Sequence, residues 1–395
     1  MVENKDKKVL NVPNLRFKEF EGEWEESTIG KQFELYSGNT PSRINKELFN
    51  GTINWISSGE LKEHYIYSTK ERISQEAANN LKLLSVGTFV IAIYGLEAEG
   101  VRGTGSITQE PSTISQACMA FTPKGEITNE FLYSWYKKHG HVIGVKYAQG
   151  TKQQNLSYDI LEKFKISYSN VKEQDKLNLF FSLLDKRIST QNKIIEDLKK
   201  LKCAIIEKLY SEIQGKEYLY GQLFEVVNKR NKQMEYSNIL SASQEKGMVN
   251  RDDLNLDIQF ERSNINTYKI VRAGDYVIHL RSFQGGFAFS DKLGVCSPAY
   301  TILRPNCLLE YGYLSYYFTS HRFIKSLIIV TYGIRDGRSI NIEEWLNMKV
   351  IIPSKEYQLH TLKILRSIEG KIENEETYTI CLSNQKQYLL NQMFI

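Results

Sequence analysis

At 395 residues the chain exceeds a single typical core and has room for two or three folding units. With 41% hydrophobic and 25% charged residues, and no run near the roughly 20 apolar residues that a bilayer span requires, the composition is that of a soluble globular protein without a transmembrane segment. The net charge of +5, from 51 Lys and Arg against 46 Asp and Glu, is too mild to name a polyanionic partner by itself.

The opening residues 1–22 are polar and lack the apolar core of a secretory signal, which predicts a solvated arm on a cytoplasmic protein. Five scattered cysteines with no C-x-x-C pair agree with reduced thiols. Residues 23–170 read as a first globule of short strands and helices with Gly-rich turns such as "GVRGTGS". A long helix follows over 171–214 and stops near Gly215, a second globule occupies 215–353, and a second long helix closes the chain over 354–395.

The two helices repeat one another. In the first, the positions 177, 181, 184, 188, 191, 195, 198, 202, 205 and 209 advance in alternating steps of four and three, the heptad seam of a coiled coil. The second keeps the same steps 184 residues on, so that Leu184 answers Ile368, Ile188 answers Ile372 and Leu198 answers Leu382. Polar residues interrupt both seams at matching places, Gln191 and Lys202 in one copy and Glu375 and Lys386 in the other.

The globules repeat as well. "IGKQFEL" (29–35) parallels "YGQLFEV" (220–226), "VGTFVIAI" (from 86) parallels "AGDYVIHL" (from 273), and "FLYSWYKKH" (131–139) parallels "YLSYYFTSH" (313–321). Connectivity makes the two helices antiparallel where their seams meet. The fold class expected is α+β: two similar mixed α/β domains separated by two long antiparallel coiled-coil spacer helices, with an internal pseudo-two-fold repeat. A helix of about 35 residues rises roughly 50 Å. Duplex DNA has a two-fold axis of the same kind, so two such globules suit two half-sites. The competing reading of the same pattern is a coiled-coil scaffold whose globules bind proteins.

Three strings resemble the DNA-specificity (S) subunit of type I restriction-modification enzymes: "VPNLRFKEFEGEWEESTIGKQFELYSGNTPS" at the start, "FNGTINWISSGELKE" at 49–63, and the central helix "EQDKLNLFFSLLDKRISTQNKIIEDLKKLKCAIIEKLY". The resemblance covers essentially the whole chain. It implies two target recognition domains, each binding one part of a split sequence in double-stranded DNA, and helices that dock methyltransferase (modification) subunits, two of them, alongside restriction/motor subunits. It also implies no chemistry on this chain, with S-adenosylmethionine, ATP and Mg held by the partner subunits. A departure lies before the first helix, where Ser169 stands and the second copy has Pro353.

The motifs of catalysis are missing, as that reading requires. Neither Asn-Pro-Pro nor Asp-Pro-Pro occurs, no phosphate-binding G-x-x-x-x-G-K-[ST] loop occurs, and "RGTGS" (102–106) reads as a turn rather than a dinucleotide site. His139 and His141, spaced i, i+2 across a glycine, have poor geometry for a metal; alignment of His139 with His321 predicts a structural role at a helix end.

Duplex binding calls for cations toward phosphates and for amides, hydroxyls and guanidinium groups toward base edges. In the first globule the candidates are Ser37, Asn39 and Thr40 as polar readers with Arg43 near phosphate, then Tyr94 and Arg102, then Lys152, Gln153 and Gln154. In the second they are Lys229, Arg230 and Lys232, then Arg281, Ser282 and Gln284, then Arg335 and Arg338. Arg281, Arg335 and Arg338 are the expected readers of guanine, whose O6 and N7 a guanidinium engages together.

Overall fold

The structure, a computed structural model, describes residues 10–98, 100–150, 154–243, 246–253, 262–279, 286–332 and 339–395. The chain forms two compact units, a first made of Met1–Asn192 with Thr377–Ile395 and a second made of Lys193–Glu376.

In the first unit, strand Glu25–Thr28 pairs antiparallel with Lys165–Tyr168, which leads directly into the first long helix. A five-stranded sheet is built from β1 (Phe33–Ser37), β2 (Tyr65–Ile66), β3 (Phe89–Ala92), β4 (Gly105–Thr108) and β5 (Cys118–Pro123), in the spatial order β1-β5-β3-β4-β2. The run "FVIA" is wholly buried, as a short continuous apolar run demands of a central strand. Helix α1 (Asn129–Tyr147) packs on this sheet, and its first turn is capped by Thr128, whose Oγ1 accepts the Phe131 N–H at 3.2 Å. The long helix α2 spans Val171–Ser211.

The second unit repeats the plan. Lys216–Leu219 pairs antiparallel with Lys349–Ile352, which leads into the second long helix. Its sheet holds β6 (Phe224–Val227), β7 (Tyr276–Ile278), β8 (Phe287–Phe289) and β9 (Thr301–Pro305) in the order β6-β9-β7-β8, the same order as β1-β5-β3-β4. The short helix α3 (Tyr313–Tyr317) takes the place of the start of α1, and α4 spans Lys355–Met393. Stacked Tyr220 and Trp345, with ring centroids 4.2 Å apart, centre an aromatic core with Phe224, Phe287, Phe318 and Phe323.

The two mixed α/β domains and the antiparallel packing of α2 and α4 are present as the sequence led us to expect. Every seam position from 177 to 209 and from 361 to 393 is buried or half-buried. In the first unit Lys386 pairs with Asp185, and in the second Lys202 Nζ lies 2.5 Å from Glu369 Oε1. Positions 185 and 386 sum to 571, as do 202 and 369, which is the signature of one antiparallel register. The 184-residue repeat relates the two, carrying Asp185 onto Glu369 and Lys202 onto Lys386. The lysines that interrupt each seam are therefore partnered across it. Reversing one charge, Lys202→Glu, sets two carboxylates together and is expected to destabilise the second unit by about 1–3 kcal/mol. The double exchange with Glu369→Lys should recover most of that loss in chemical denaturation.

Each long helix also ends inside a core. Leu390, Met393 and Phe394, at the end of α4, belong to the core of the first unit; Ile206 and Tyr210, at the end of α2, belong to that of the second.

Two expectations need correction. From Leu10 onward the opening segment is not a free arm but a strap on the first unit: the Leu15 N–H donates to the Gln392 carbonyl at 2.9 Å, and Arg16 binds the buried Glu173 carboxylate through two bonds of 2.7 Å. Sequence polarity hid this, because the cations and carboxylates of the strap find their partners on α2. His139 does not sit at a helix end. It lies within α1 and its Nε2 is 3.0 Å from the carbonyl of Ile395, whereas His321 opens a new helix, His321–Ser326, capped by Ser320. The first copy has Lys138 where the second has that capping serine, so its helix runs on.

Candidate nucleic-acid interface

Strands β1 and β3 both run antiparallel to β5, so they are parallel to each other and their following loops leave the sheet at one end. Ser37, Asn39, Thr40 and Arg43 follow β1; Tyr94 and Arg102 follow β3. The helices attach at the opposite end, where Gln174 of α2 holds the segment after β5. The loops of the second unit obey the same rule. β6 and β7 both run antiparallel to β9, so Lys229, Arg230 and Lys232 emerge at the same end as the segment that follows β7.

The turn after β1 needs its glycine, for a Cβ on Gly38 would lie 2.1 Å from the Ile114 carbonyl oxygen. Close approach lets the Asn39 N–H donate to that carbonyl at 3.1 Å, while Asn39 accepts the Trp55 indole N–H at 3.2 Å through its own carbonyl. Arg43 is exposed but already engaged. It donates to both Glu71 carboxylate oxygens, at 2.5 and 2.8 Å, and its guanidinium lies 4.3 Å from the centre of the Phe49 ring and 5.1 Å from that of Trp55. The hydrogen bonds raise the Arg43 pKa and lower that of Glu71. Two Arg43 N–H groups go to Glu71, which leaves the Nε side of the fork without a partner among the described residues.

The second cluster gathers residues that stand far apart in sequence. Tyr94 and Gln149 each form a β-bridge with Asn155. Arg102 Nη2 donates to Gln154 Oε1 at 2.9 Å, the Gln154 N–H donates to Glu97 Oε2 at 2.8 Å, and the Leu96 N–H donates to the Gln154 carbonyl at 3.1 Å. Acceptance of that Gln154 N–H lowers the Glu97 pKa. The loop can lie flat on α1 because Gly144 leaves space for the Arg102 stem, 2.6 Å from where a Cβ would stand. Tyr94, Arg102 and Gln154 thus form one constellation. Lys152 and Gln153, next to it in sequence, lie outside the described residues, as do Arg281, Ser282, Gln284, Arg335 and Arg338.

In the second unit the basic turn is organised by a residue that sequence reading passed over. Asn231 is buried; its N–H donates to the Tyr268 carbonyl at 2.8 Å and its Nδ2 to the Tyr236 carbonyl at 2.7 Å. The Ile270 N–H donates to the Lys229 carbonyl at 2.8 Å, and Arg230 bridges Lys269. With the backbone pinned, the side chains of Lys229, Arg230 and Lys232 are all exposed. Nothing in the spacing of "VNKRNKQ" distinguishes Asn231 from its neighbours, since its partners lie at 236 and 268. Glu71 was missed for the same reason.

These groups are donors and cations suited to binding an anion-rich, hydrogen-bonding surface. Among the described residues no three His, Cys, Asp or Glu side chains are grouped to hold a metal ion, and no helix is long and apolar enough to cross a membrane.

Residues 21–200 match the family described as the type I restriction modification DNA specificity domain. The chain is 30% identical over 191 residues to the type I restriction enzyme EcoR124I/EcoR124II specificity subunit of Escherichia coli, covering 47% of this chain and 46% of that protein. It is 25% identical over 208 residues to the MjaIX specificity subunit of Methanocaldococcus jannaschii, covering 50% and 47%. It thus spans about half the length of the curated relatives it matches. Among solved structures, the S subunit of a type I system from M. genitalium shares the fold with a TM-score of 0.55 at 16% identity, covering 97% of this chain and 99% of that one. A chain from a study of type I R-M complex assembly and conformational transition has a TM-score of 0.60 at 13% identity, covering 94% and 97%. In sequence the match is thus to the type I restriction modification DNA specificity domain over residues 21–200, and in fold the chain is similar to type I restriction-modification S subunits along its length.

Proposed function

We propose that the chain is the sequence-specific DNA-binding subunit of a type I restriction-modification complex, reading a bipartite target with one half-site per globule. The single observation that carries this reading is the duplication. Both units present polar and basic loops from the same end of the same sheet order, and both join the antiparallel helix pair at the other end.

The residues proposed to face DNA in the first unit are Ser37, Asn39, Thr40, Arg43, Tyr94, Arg102, Lys152, Gln153 and Gln154. In the second they are Lys229, Arg230, Lys232, Arg281, Ser282, Gln284, Arg335 and Arg338. The chain itself is non-catalytic. Two methyltransferase subunits docked along the helices modify adenine with S-adenosylmethionine, and restriction/motor subunits use ATP and Mg, all in the cytoplasm.

A protein that neutralises several phosphates releases their counterions, so its affinity falls steeply with salt. DNA retention by the intact complex is expected to drop about 1,000-fold between roughly 50 and 200 mM salt. A scaffold whose globules bind proteins would retain no DNA in the same assay.

A further inference from the structure

At the heart of the first unit a histidine is enclosed by charge. His64 precedes β2, and its backbone is fixed to the sheet because its carbonyl accepts the Ile107 N–H at 2.8 Å. The ring is sandwiched between Tyr65 and Tyr133, each 4.0 Å away and nearly parallel to it, and the side chain is only 9% exposed. Its Nε2 lies 2.9 Å from Glu130 Oε2 on α1, and its Nδ1 lies 3.3 Å from Asp185 Oδ2 on α2. Asp185 also pairs with Lys386 on α4. Lys137 of α1 lies over the Tyr133 ring at 5.1 Å, and Glu63 adds to the local charge. The β2 segment, α1 and α2 therefore meet at one imidazole, and Lys386 of α4 is held behind Asp185.

A neutral imidazole carries one N–H and one lone pair. With Nε2–H given to Glu130, a neutral ring would turn the Nδ1 lone pair toward a carboxylate oxygen. The Nδ1 contact falls outside hydrogen-bond geometry, so it holds through charge, and only the doubly protonated ring attracts both carboxylates. We propose that His64 is a positioning residue that clamps the sheet and α1 of the first unit onto α2 and α4 only while its imidazole carries both protons.

Burial of His64 favours the neutral ring, but the two carboxylates of Asp185 and Glu130 together outweigh it, so its pKa is raised. A raised pKa means that the clamp is complete below the ordinary value for histidine, about 6.5, and is lost as pH rises through the higher folded value. The carboxyl of Asp185 is held below its ordinary range by His64 and Lys386 against the opposing effect of burial, so it fails only in acid. Among the described residues the second unit shows no such switch at the equivalent place. There the residue equivalent to Asp185, Glu369, accepts a hydrogen bond from the Tyr316 hydroxyl at 2.5 Å, and burial pushes that phenol far up, beyond the pH range in which His64 titrates.

Hydrogen exchange of the intact chain tests the clamp. After correction for intrinsic rates, protection in residues 62–66 and 129–134 is expected to fall about tenfold from about pH 6 to about pH 9, while residues 313–318 stay level. Burial sets the Lys137 pKa at about 8, with Lys386 adding to the effect, so this lysine titrates in the same window and needs separating. His64→Gln should abolish the fall, and Glu130→Gln, which removes one negative charge from the more exposed side, should move it to lower pH. A flat wild-type profile, or the same fall in His64→Gln, overturns the proposal; the latter result would assign the effect to Lys137. The consequence for DNA rests on the proposed function. Discrimination at the first half-site should weaken at alkaline pH while the second holds. Altered exchange with unaltered discrimination would leave the clamp standing and count against DNA reading by the first unit.

Discussion

Gln174→Leu is expected to destabilise the first unit by about 3 kcal/mol or more, since each buried polar group left without a partner costs about 1–3 kcal/mol. Gln174 is fully buried at the base of α2. Its Nε2 donates to the carbonyls of Ser169 at 2.8 Å and Glu126 at 3.1 Å, and its Oε1 accepts the N–H of Thr128 at 3.0 Å. Thr128 caps α1, so this one amide joins the start of the globular helix to the start of the spacer. The same device recurs 184 residues on. Gln358, also fully buried, donates to the carbonyls of Pro353 at 3.1 Å and Leu308 at 3.0 Å, and accepts the Glu310 N–H at 2.8 Å. Gln358→Leu should therefore cost the second unit a similar amount. Hydrogen exchange resolved by unit checks both, with each substitution expected to release its own unit first. If either left its own unit as protected as wild type, the amide would not be the anchor.

Phe394→Ala is expected to cost the first unit about 3–5 kcal/mol, the range for deleting a buried aromatic ring. The penultimate residue of the chain sits 2% exposed, its ring 5.0 Å from Phe131, 5.7 Å from Phe181 and 6.3 Å from Trp24. These partners come from α1, from α2 and from the segment before the first strand. The C-terminus therefore completes a core assembled mostly from the first half of the chain. Lys138 reinforces it by donating to the Phe394 carbonyl at 2.6 Å. Chemical denaturation of Phe394→Ala should show the loss in the transition reported by Trp24 and Trp135, both in that core. An unchanged midpoint would mean that the Phe394 ring is dispensable to that core.

The seam was legible because its period is local. A helix that buries residues every three or four positions shows it within one stretch, whatever it packs against. The likeness of the two sheets was legible from the matched strings that became β3 and β7. What could not be read depended on distant partners. Lys202 and Lys386 looked like flaws in a seam until Glu369 and Asp185 stood opposite them, for one helix does not state the register of its neighbour. Gln174 and Gln358 looked like ordinary helix-start residues, since the carbonyls they bind lie in loops of variable length. The candidate site was legible as loops and not as constellations. Tyr94, Arg102 and Gln154 were separate suggestions that the bridges at Asn155 bring together, whereas Glu71 beside Arg43 and Asn231 beneath the basic turn gave no signal in spacing or charge.

The central claim is that two similar globules each read their own part of one DNA target. Mapping methylated adenines in a host that carries the chain with its methyltransferase, and in the same host lacking the chain, tests it most directly. Two short fixed sequences separated by a gap of constant length, lost when the chain is removed, is the predicted result. A single continuous motif, or methylation that persists without the chain, would contradict it.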